Sequence, residues 1–203
     1  LYGALLARAE QLRTQTPNLP VRLYSLVAPE NLDMMHFYQN CGFKDDDGED
    51  LFRFPLPQGY PRVPMGMQFA SVPLQDEMSQ TAFLNRLNQN RIQPFSRDNL
   101  TLWMQQQHFM ALGFYKGGLP VCECILTGTG QNVTLLMIYT KAEYRRQGMA
   151  TQLLESAFNL LRERGVTTVY THVFRRHTPQ VKLVQHFGGN FLRTVTALPG
   201  IDL

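Results

Sequence analysis

The stretch Tyr144-Arg145-Arg146-Gln147-Gly148-Met149-Ala150 constrains this chain more than any other. An apolar run, Val133 to Tyr139, precedes it and has the makings of a buried strand. Leu153, Leu154, Ala157, Leu160 and Leu161 follow at the spacing of one helical face. A strand that enters a helix through a basic turn aims successive backbone N–H groups and a helix N-terminus at one point. That geometry suits an anion. Gly148 lets the backbone approach a ligand with no Cβ in the way, and Arg145 and Arg146 add positive charge at the mouth.

The rest of the chain can be read around this turn. Residues Leu1 to about Thr16 carry Leu5, Leu6, Ala9 and Leu12 on one stripe and Arg8, Glu10 and Arg13 on the other, an amphipathic helix ended by Pro17 and Pro20. Val21 to Val27 reads as a strand, Asn31 as the cap of a helix over Leu32 to Asn40, and Gly42 as its stop. Phe43-Lys44 and Leu51 to Pro55 read as short strands on either side of an acidic turn, Asp45 to Asp50. Pro55, Pro57, Gly59, Pro61 and Pro64 mark a linker. The expected division is therefore residues 1–58, a linker over 59–66, and residues 67–203.

Beyond the linker, Met67 to Leu74 reads as a strand, and Asp76 to Asn90 and Ser96 to Gln107 as helices. Phe109 to Tyr115 and Val121 to Leu126 are strands joined by the hairpin signal Lys116-Gly117-Gly118-Leu119-Pro120. After the basic turn and its helix come a strand over Val166 to Phe174, a short helix over Thr178 to Phe187, and a last strand over Phe191 to Ala197. Trp103 is expected in the core, and His36 and His108 at the surface.

The basic turn resembles the diphosphate-binding loop of the GNAT superfamily of N-acetyltransferases, Gln/Arg-x-x-Gly-x-Gly/Ala, which Arg145, Gly148 and Ala150 match. The element order from Met67 onward is also that of the family. Asn31, Phe37, Tyr38, Gly42 and Phe43 resemble the family's closing segment, and Leu5-Leu6-x-x-Ala9 superposes on Leu153-Leu154-x-x-Ala157. The resemblance implies an α/β mixed-sheet GNAT acyl-CoA N-acyltransferase fold in which one near-complete copy follows the C-terminal half of another. The chain opens in mid-helix, so the first copy is expected to be truncated. Such a half should expose a sheet edge and a core face, inviting intramolecular or homodimeric GNAT–GNAT contact.

The resemblance implies acetyl transfer from acetyl-CoA to a primary amine by direct attack in a ternary complex. Met137, Ile138 and Tyr139 would then lie along the pantetheine, and Arg145, Arg146, Gln147, Gly148, Met149 and Ala150 would hold the diphosphate. Tyr38 corresponds to the family's general acid, while in the second copy Val184 stands at that place and His177 stands where the first copy has Asn31. Tyr170, Tyr139 and His186 remain open as substitutes for the acid. Glu123, the one carboxylate on the two predicted strands of the hairpin, alternates with Val121 and Ile125. It could face a cleft and take the amine's proton, or be an edge or surface residue. The second reading of the whole is a non-catalytic acyl-CoA-binding module.

Composition sets limits. An apolar fraction of 44% supports a packed core, and a net charge of +3 does not by itself imply a nucleic-acid partner. Arg162, Arg164, Arg175 and Arg176, with Arg145 and Arg146, read as a solvated face, as attraction for coenzyme A phosphates or, as a third reading, as a nucleic-acid face. No apolar run reaches membrane-spanning length. Three cysteines, Cys41, Cys122 and Cys124, lack a Cys/His ligand pattern, which argues against a metal and for reduced thiols in a cytoplasmic setting. The acceptor, a small-molecule or peptide amine, is not specified by these residues.

Overall fold

The computed structural model describes residues 2–15, 17–56, 60–89 and 94–203. Leu1, Thr16, the linker residues Pro57 to Gly59 and the expected helix end Asn90 lie outside the described residues. In chain order the elements are α1 (Tyr2–Gln15), β1 (Arg22–Tyr24), α2 (Leu32–Asn40), β2 (Gly48–Pro55), β3 (Gln68–Ser71), α3 (Glu77–Asn88), α4 (Arg97–Met104), β4 (Met110–Lys116), β5 (Leu119–Thr129), β6 (Asn132–Thr140), α5 (Met149–Glu163), β7 (Thr168–Phe174), α6 (Thr178–His186), β8 (Asn190–Ala197) and β9 (Gly200–Asp202). They form two compact units. The first is Leu1–Phe52 with His172–Lys182 and Phe191–Leu203, and the second is Arg53–Thr171 with Leu183–Asn190.

The second unit is built on a mixed sheet. β3, β4, β5 and β6 pair antiparallel in order, and the start of β7 joins β6 in parallel. Side chains alternate between the two faces of each strand. On one face Ala111 and Ile125 meet Val72, Leu74, Phe83, Leu84, Leu87 and Leu100, so α3 and α4 are held by their apolar stripes. Trp103 packs on this cluster as expected, its ring 4.8 Å from that of Phe95. Alternation turns Leu112, Phe114, Cys122, Cys124 and Leu126 the other way, and all are buried. α5 packs on β4, β5 and β6 and buries Leu153, Leu154, Ala157, Phe158 and Leu161. Phe54, Phe158 and Phe187 close this layer with ring centroids 5.1–6.1 Å apart.

α3 and α4 start where their polar caps permit. Asp76 and Ser96 accept from the N–H groups of Ser79 and Asn99, which leaves fewer orphan donors in each first turn. The helix read over Ser96 to Gln107 stops earlier, at Met104. His108, expected at the surface, is buried; its Nε2 lies 2.8 Å from the carbonyl of Gly130, and so it staples the end of β5.

In the first unit α1, β1, α2 and β2 follow one another as α5, β7, α6 and β8 do elsewhere in the chain, with α2 and α6 each nine residues long. Asn31 caps α2 through the N–H of Met34 at 3.2 Å, as read from the sequence. β1 pairs antiparallel with β9, from Arg22↔Asp202 to Tyr24↔Gly200, and β2 runs between β7 and β8. Strand β9 was not expected from the sequence. Leu5, Leu12, Leu19, Leu26, Leu32 and Phe37 stand 41–64% exposed, and among the described residues β1 has a strand partner on one side only.

The acidic turn is not a solvated tip. Asp50 is buried, with Arg175 Nε and Nη2 donating at 2.8 and 2.9 Å and Thr194 Oγ1 donating at 2.8 Å. Asp46 pairs with Arg22, and Asp47 accepts from the backbone N–H groups of Gly48 and Arg176. Arg22 and Arg176 both hold Asp202. Arg175 and Arg176 are thus spent on carboxylates of their own chain.

Arg176 first, and Arg22 second, hold the Asp202 carboxyl well below its usual 3.8, at about 2. A depressed folded-state value contributes stability that is present above the unfolded value and is lost as pH falls through the folded one. Stability should therefore drop between about pH 4 and about pH 2, and Asp202→Asn should flatten that part of the curve. Chemical denaturation at a series of pH values, with a carboxyl titration followed by NMR, measures both.

Candidate active site

The basic turn takes the form its residues require. A single 3₁₀ turn, Ala142–Tyr144, follows β6, and α5 begins at Met149. Gly148 has φ 75, the left-handed region, and nothing but Gln152 Nε2 at 3.5 Å would meet a Cβ there. Space is therefore not what selects glycine here; backbone conformation is. Arg146 also has φ 60, which costs a residue with a Cβ about 1–2 kcal/mol. Such strain persists only where its surroundings hold it, and it gathers at ligand sites. The carbonyl of Gly148 accepts from Gln152 N at 3.0 Å, so the N–H groups of Met149, Ala150 and Thr151 are those that no helical carbonyl can reach.

Side chains brace the turn. Arg145 Nε donates to the Thr140 carbonyl at 3.0 Å, and Gln147 Nε2 to the Glu143 carbonyl at 2.8 Å. Lys141 and Glu143 pair at 2.6 Å, which raises the ammonium's pKa and lowers the carboxyl's. Arg145 serves by its backbone-directed bond, and Arg146 by the conformation it adopts. The residues Arg145 to Gly148 are all exposed.

β6 supplies the second element. Its register with β5 shifts between Ile125↔Met137 and Leu126↔Leu135, leaving Leu136 as a bulge. The parallel pairing with β7 covers Asn132–Leu135 against Thr168–Thr171, and the bulge begins where that pairing ends. Met137, Ile138 and Tyr139 follow directly and are half-buried. The loop and this stretch of β6 therefore lie in sequence on one strand-turn-helix unit, as the reading of the sequence required.

Glu123 sits elsewhere on the sheet than a cleft wall. Its side chain has no exposure, and both oxygens are taken: Arg86 Nε donates to Oε2 at 2.7 Å, Arg86 Nη2 to Oε1 at 2.8 Å. The Tyr115 hydroxyl donates to Oε1 at 3.3 Å. Burial, and then the nearby Glu123, push the Tyr115 phenol far above its usual value, so it stays protonated. Gly113, the register partner of Glu123, makes the room. A Cβ there would meet Tyr115 Cε2 at 3.0 Å and Glu123 Cγ at 3.2 Å. Tyr139, the partner of Glu123 on the other side, places the cluster beside the bulged strand.

Arg86, Tyr115 and Gly113 escaped the reading of the sequence. A signal was present, because a glutamate inside an apolar strand needs a buried cation, and Arg86 lies one turn from Phe83 on the inward side of its helix. Tyr38 and His177 belong to the first unit. Tyr38 lies in an aromatic group with Phe37 and Phe43, and packs on the cluster of Val27, Met35 and Ala197. His177 is exposed just before α6, where its carbonyl accepts from Gln180 N and Val181 N. Val184 is buried and is the seventh residue of α6, as Tyr38 is of α2. Burial pushes the Cys122 thiol up to about 12, and Cys124 well above its usual value, so neither is a nucleophile at neutral pH. Among the described residues no group of three His, Cys, Asp or Glu could hold a metal ion, and no helix is long and apolar enough to cross a membrane. A shallow cavity of about 400 Å³, bounded by Ser71, Leu74, Phe109 and Arg164, opens beside the start of β4 and contains none of these residues.

Residues 81–188 match the acetyltransferase (GNAT) family, and the chain belongs to it. Among solved structures, the fold is similar to a GCN5-related N-acetyltransferase from Sphaerobacter thermophilus, with TM-score 0.64 and 16% identity over 99% of this chain and 68% of that one. It is similar to the ribosomal-protein-S18-alanine N-acetyltransferase of Escherichia coli, with TM-score 0.54 and 18% identity over 67% and 93%. A tandem GNAT protein from the clavulanic acid biosynthesis pathway gives TM-score 0.58 and 14% identity over 98% and 69%. No curated protein matches the chain.

Removing Arg86 strands a buried charge. Arg86→Ala should cost about 2–3 kcal/mol, less than a fully dry pair because a quarter of the Arg86 side chain is exposed. Arg86→Ala with Glu123→Leu should recover most of that loss. Urea denaturation of the two variants checks the pair.

Proposed function

We propose that this protein transfers an acetyl group from acetyl-CoA to a primary amine by direct attack in a ternary complex. The observation that carries the reading is the turn itself. Two left-handed residues, Arg146 and Gly148, set the N–H groups at the start of α5 toward one exposed point, immediately after a bulged strand. Those donors and the helix dipole fit a diphosphate. Met137, Ile138 and Tyr139 would accompany the pantetheine, and Arg145 to Ala150 the diphosphate.

The amine must lose a proton to react. In this reading it passes that proton to the Tyr115 oxygen while the Tyr115 proton moves to Glu123 Oε1, so a wholly buried carboxylate is reached through a half-buried phenol. The phenol ends the step neutral. The amine nitrogen bonds to the thioester carbon, the C–S bond breaks, and the sulfur leaves as a thiolate. Thiolate is a fair leaving group, so Val184 at the place of the acid in α6 does not bar the step. The three cysteines are free, consistent with a reducing, cytoplasmic setting.

We also propose that residues 1–58 are the closing half of a first GNAT copy, with Tyr38 its acid and 59–66 the linker to the second, 67–203. The repeated order of helix, strand, helix and strand supports this, as does the exposed apolar face from Leu5 to Phe37. GNAT–GNAT contact over that face would follow.

Titration calorimetry of acetyl-CoA tests the turn. Gly148→Val, which forces a β-branched residue into φ 75, should weaken binding at least about tenfold, a loss of about 1.4 kcal/mol. Unchanged affinity sinks the assignment. In an amine panel followed by thiol release, Tyr115→Phe should lower kcat and leave acetyl-CoA affinity as it was. If transfer instead falls on Tyr38→Phe and survives Gly148→Val, the second copy is not where the chemistry occurs.

A further inference from the structure

The ion pair on the sheet is lopsided. Glu123 is wholly buried, whereas 26% of the Arg86 side chain is exposed. Arg86 meets Glu123 with Nε and Nη2, one flat edge of its guanidinium. In a planar fork that pairing turns Nη1 and its two N–H donors away from the carboxylate. The cation therefore faces outward on one edge while the anion that holds it stays inside. Its conformational freedom is already spent, because the Glu123 bonds fix the plane and the guanidinium carbon lies 5.9 Å from the centre of the Phe83 ring.

The surroundings give the edge a direction. Tyr115 and Tyr139, both half-buried, adjoin the pair, Tyr115 through its hydroxyl bond to Glu123 and Tyr139 as the neighbour of Glu123 across the strands. Glu123 is the register partner of Tyr139, so the cluster adjoins the stretch of β6 after the bulge. It lies at the end of the sheet where β6 passes into the glycine turn, as the bond from Lys141 N to the Val121 carbonyl shows at 2.9 Å. Arg86 and Tyr115 also share one atom, since both donate to Glu123 Oε1. The group placed to receive the amine's proton and the outward guanidinium edge are thus a few ångströms apart. A rigid two-donor edge between aromatic rings is matched by a carboxylate.

We infer that Arg86 recognises a carboxylate on the acceptor, and that the acceptor is an amine with a carboxylate only a few bonds away, as in an α- or β-amino acid. This inference rests on the acetyl-transfer reading. Arg86 is then a specificity-determining residue, and Glu123 and Gly113 position it.

The test uses the full chain and begins with a calorimetric titration of acetyl-CoA. Matched pairs follow: leucine against leucinamide, and β-alanine against propylamine, compared at equal concentrations of unprotonated amine. Thiol release gives kcat/KM for each, and calorimetry on protein saturated with coenzyme A gives acceptor affinity where turnover is slow. The acid of each pair should be favoured at least about tenfold, the discrimination of one charge-assisted contact. Arg86→Lys keeps a cation on Glu123 but removes the outward fork. It should abolish the preference through KM for the acids and leave KM for the amides where it was. If the variant does not fold, the wild-type comparison decides alone. Equal treatment of acids and amides, preference for the amides, or binding of neither, with acetyl-CoA still bound, overturns the assignment of Arg86. Failure to bind acetyl-CoA overturns the acetyl-transfer reading and this one together, and the first titration tells that result from the others.

Discussion

A carboxylate with no exposed surface, set among apolar strand residues, is stable only if a cation comes to it. Glu123 and Arg86 meet that demand with two short bonds, and much of the second unit is arranged for their meeting. α3, which packs on β6, must hold one position for Arg86 to reach across to Glu123 on β5. Glycine at position 113 suits the cluster, because a Cβ would crowd the Cys122 carbonyl, the Tyr115 ring and Glu123 Cγ at 3.0–3.2 Å. Tyr115 remains a phenol, because burial first, and the neighbouring Glu123 second, disfavour its anion. The apolar contacts of Phe83, Leu87 and Leu100 supply the bulk of the attraction, but they are non-directional. The ion pair adds the direction.

The glycine turn works in the opposite way. It stores strain in an exposed place, at Arg146, and leaves donors at the start of α5 without helical partners. The ion pair closes off every polar atom of Glu123, whereas the turn keeps its polar atoms open. One feature therefore ties α3 to the sheet in a fixed direction, and the other leaves the start of α5 open to solvent. The bulge at Leu136 joins them, since β6 carries Tyr139 toward Glu123 and Thr140 toward Arg145.

What could be read from the sequence was whatever is decided locally. The strand, turn and helix around Gly148 depend on neighbours within about twenty residues, and so does the Asn31 cap. The family followed from that stretch and from the order of elements. That Glu123 needs a cation could be read from its apolar strand and Arg86 was a candidate on the inward side of its helix, but the pairing itself joins residues 37 positions apart and no local pattern fixes it. The pairing of the acidic turn with Arg175 was hidden for the same reason, since Asp50 and Arg175 are 125 residues apart. His108 misled because a polar residue between a helix and a strand is more often at the surface, and the carbonyl of Gly130 that satisfies it belongs to a different turn. β9 is three residues long and too short to show a period.

The pairing of β1 with β9 joins Arg22 to Asp202, two residues 180 positions apart. Closing so long a loop costs entropy before any contact repays it, and chains dominated by such pairings fold slowly. During synthesis, then, the strand at Arg22–Tyr24 is made early and its partner at Gly200–Asp202 late, with β2 likewise waiting for β8. Through that interval the apolar residues from Leu5 to Phe37 have neither their strand partners nor the ion pairs of Arg175 and Arg176. The first unit therefore cannot be completed until Gly200–Asp202 has been made, whereas β3 to β6 of the second unit can pair in the order in which they are synthesised.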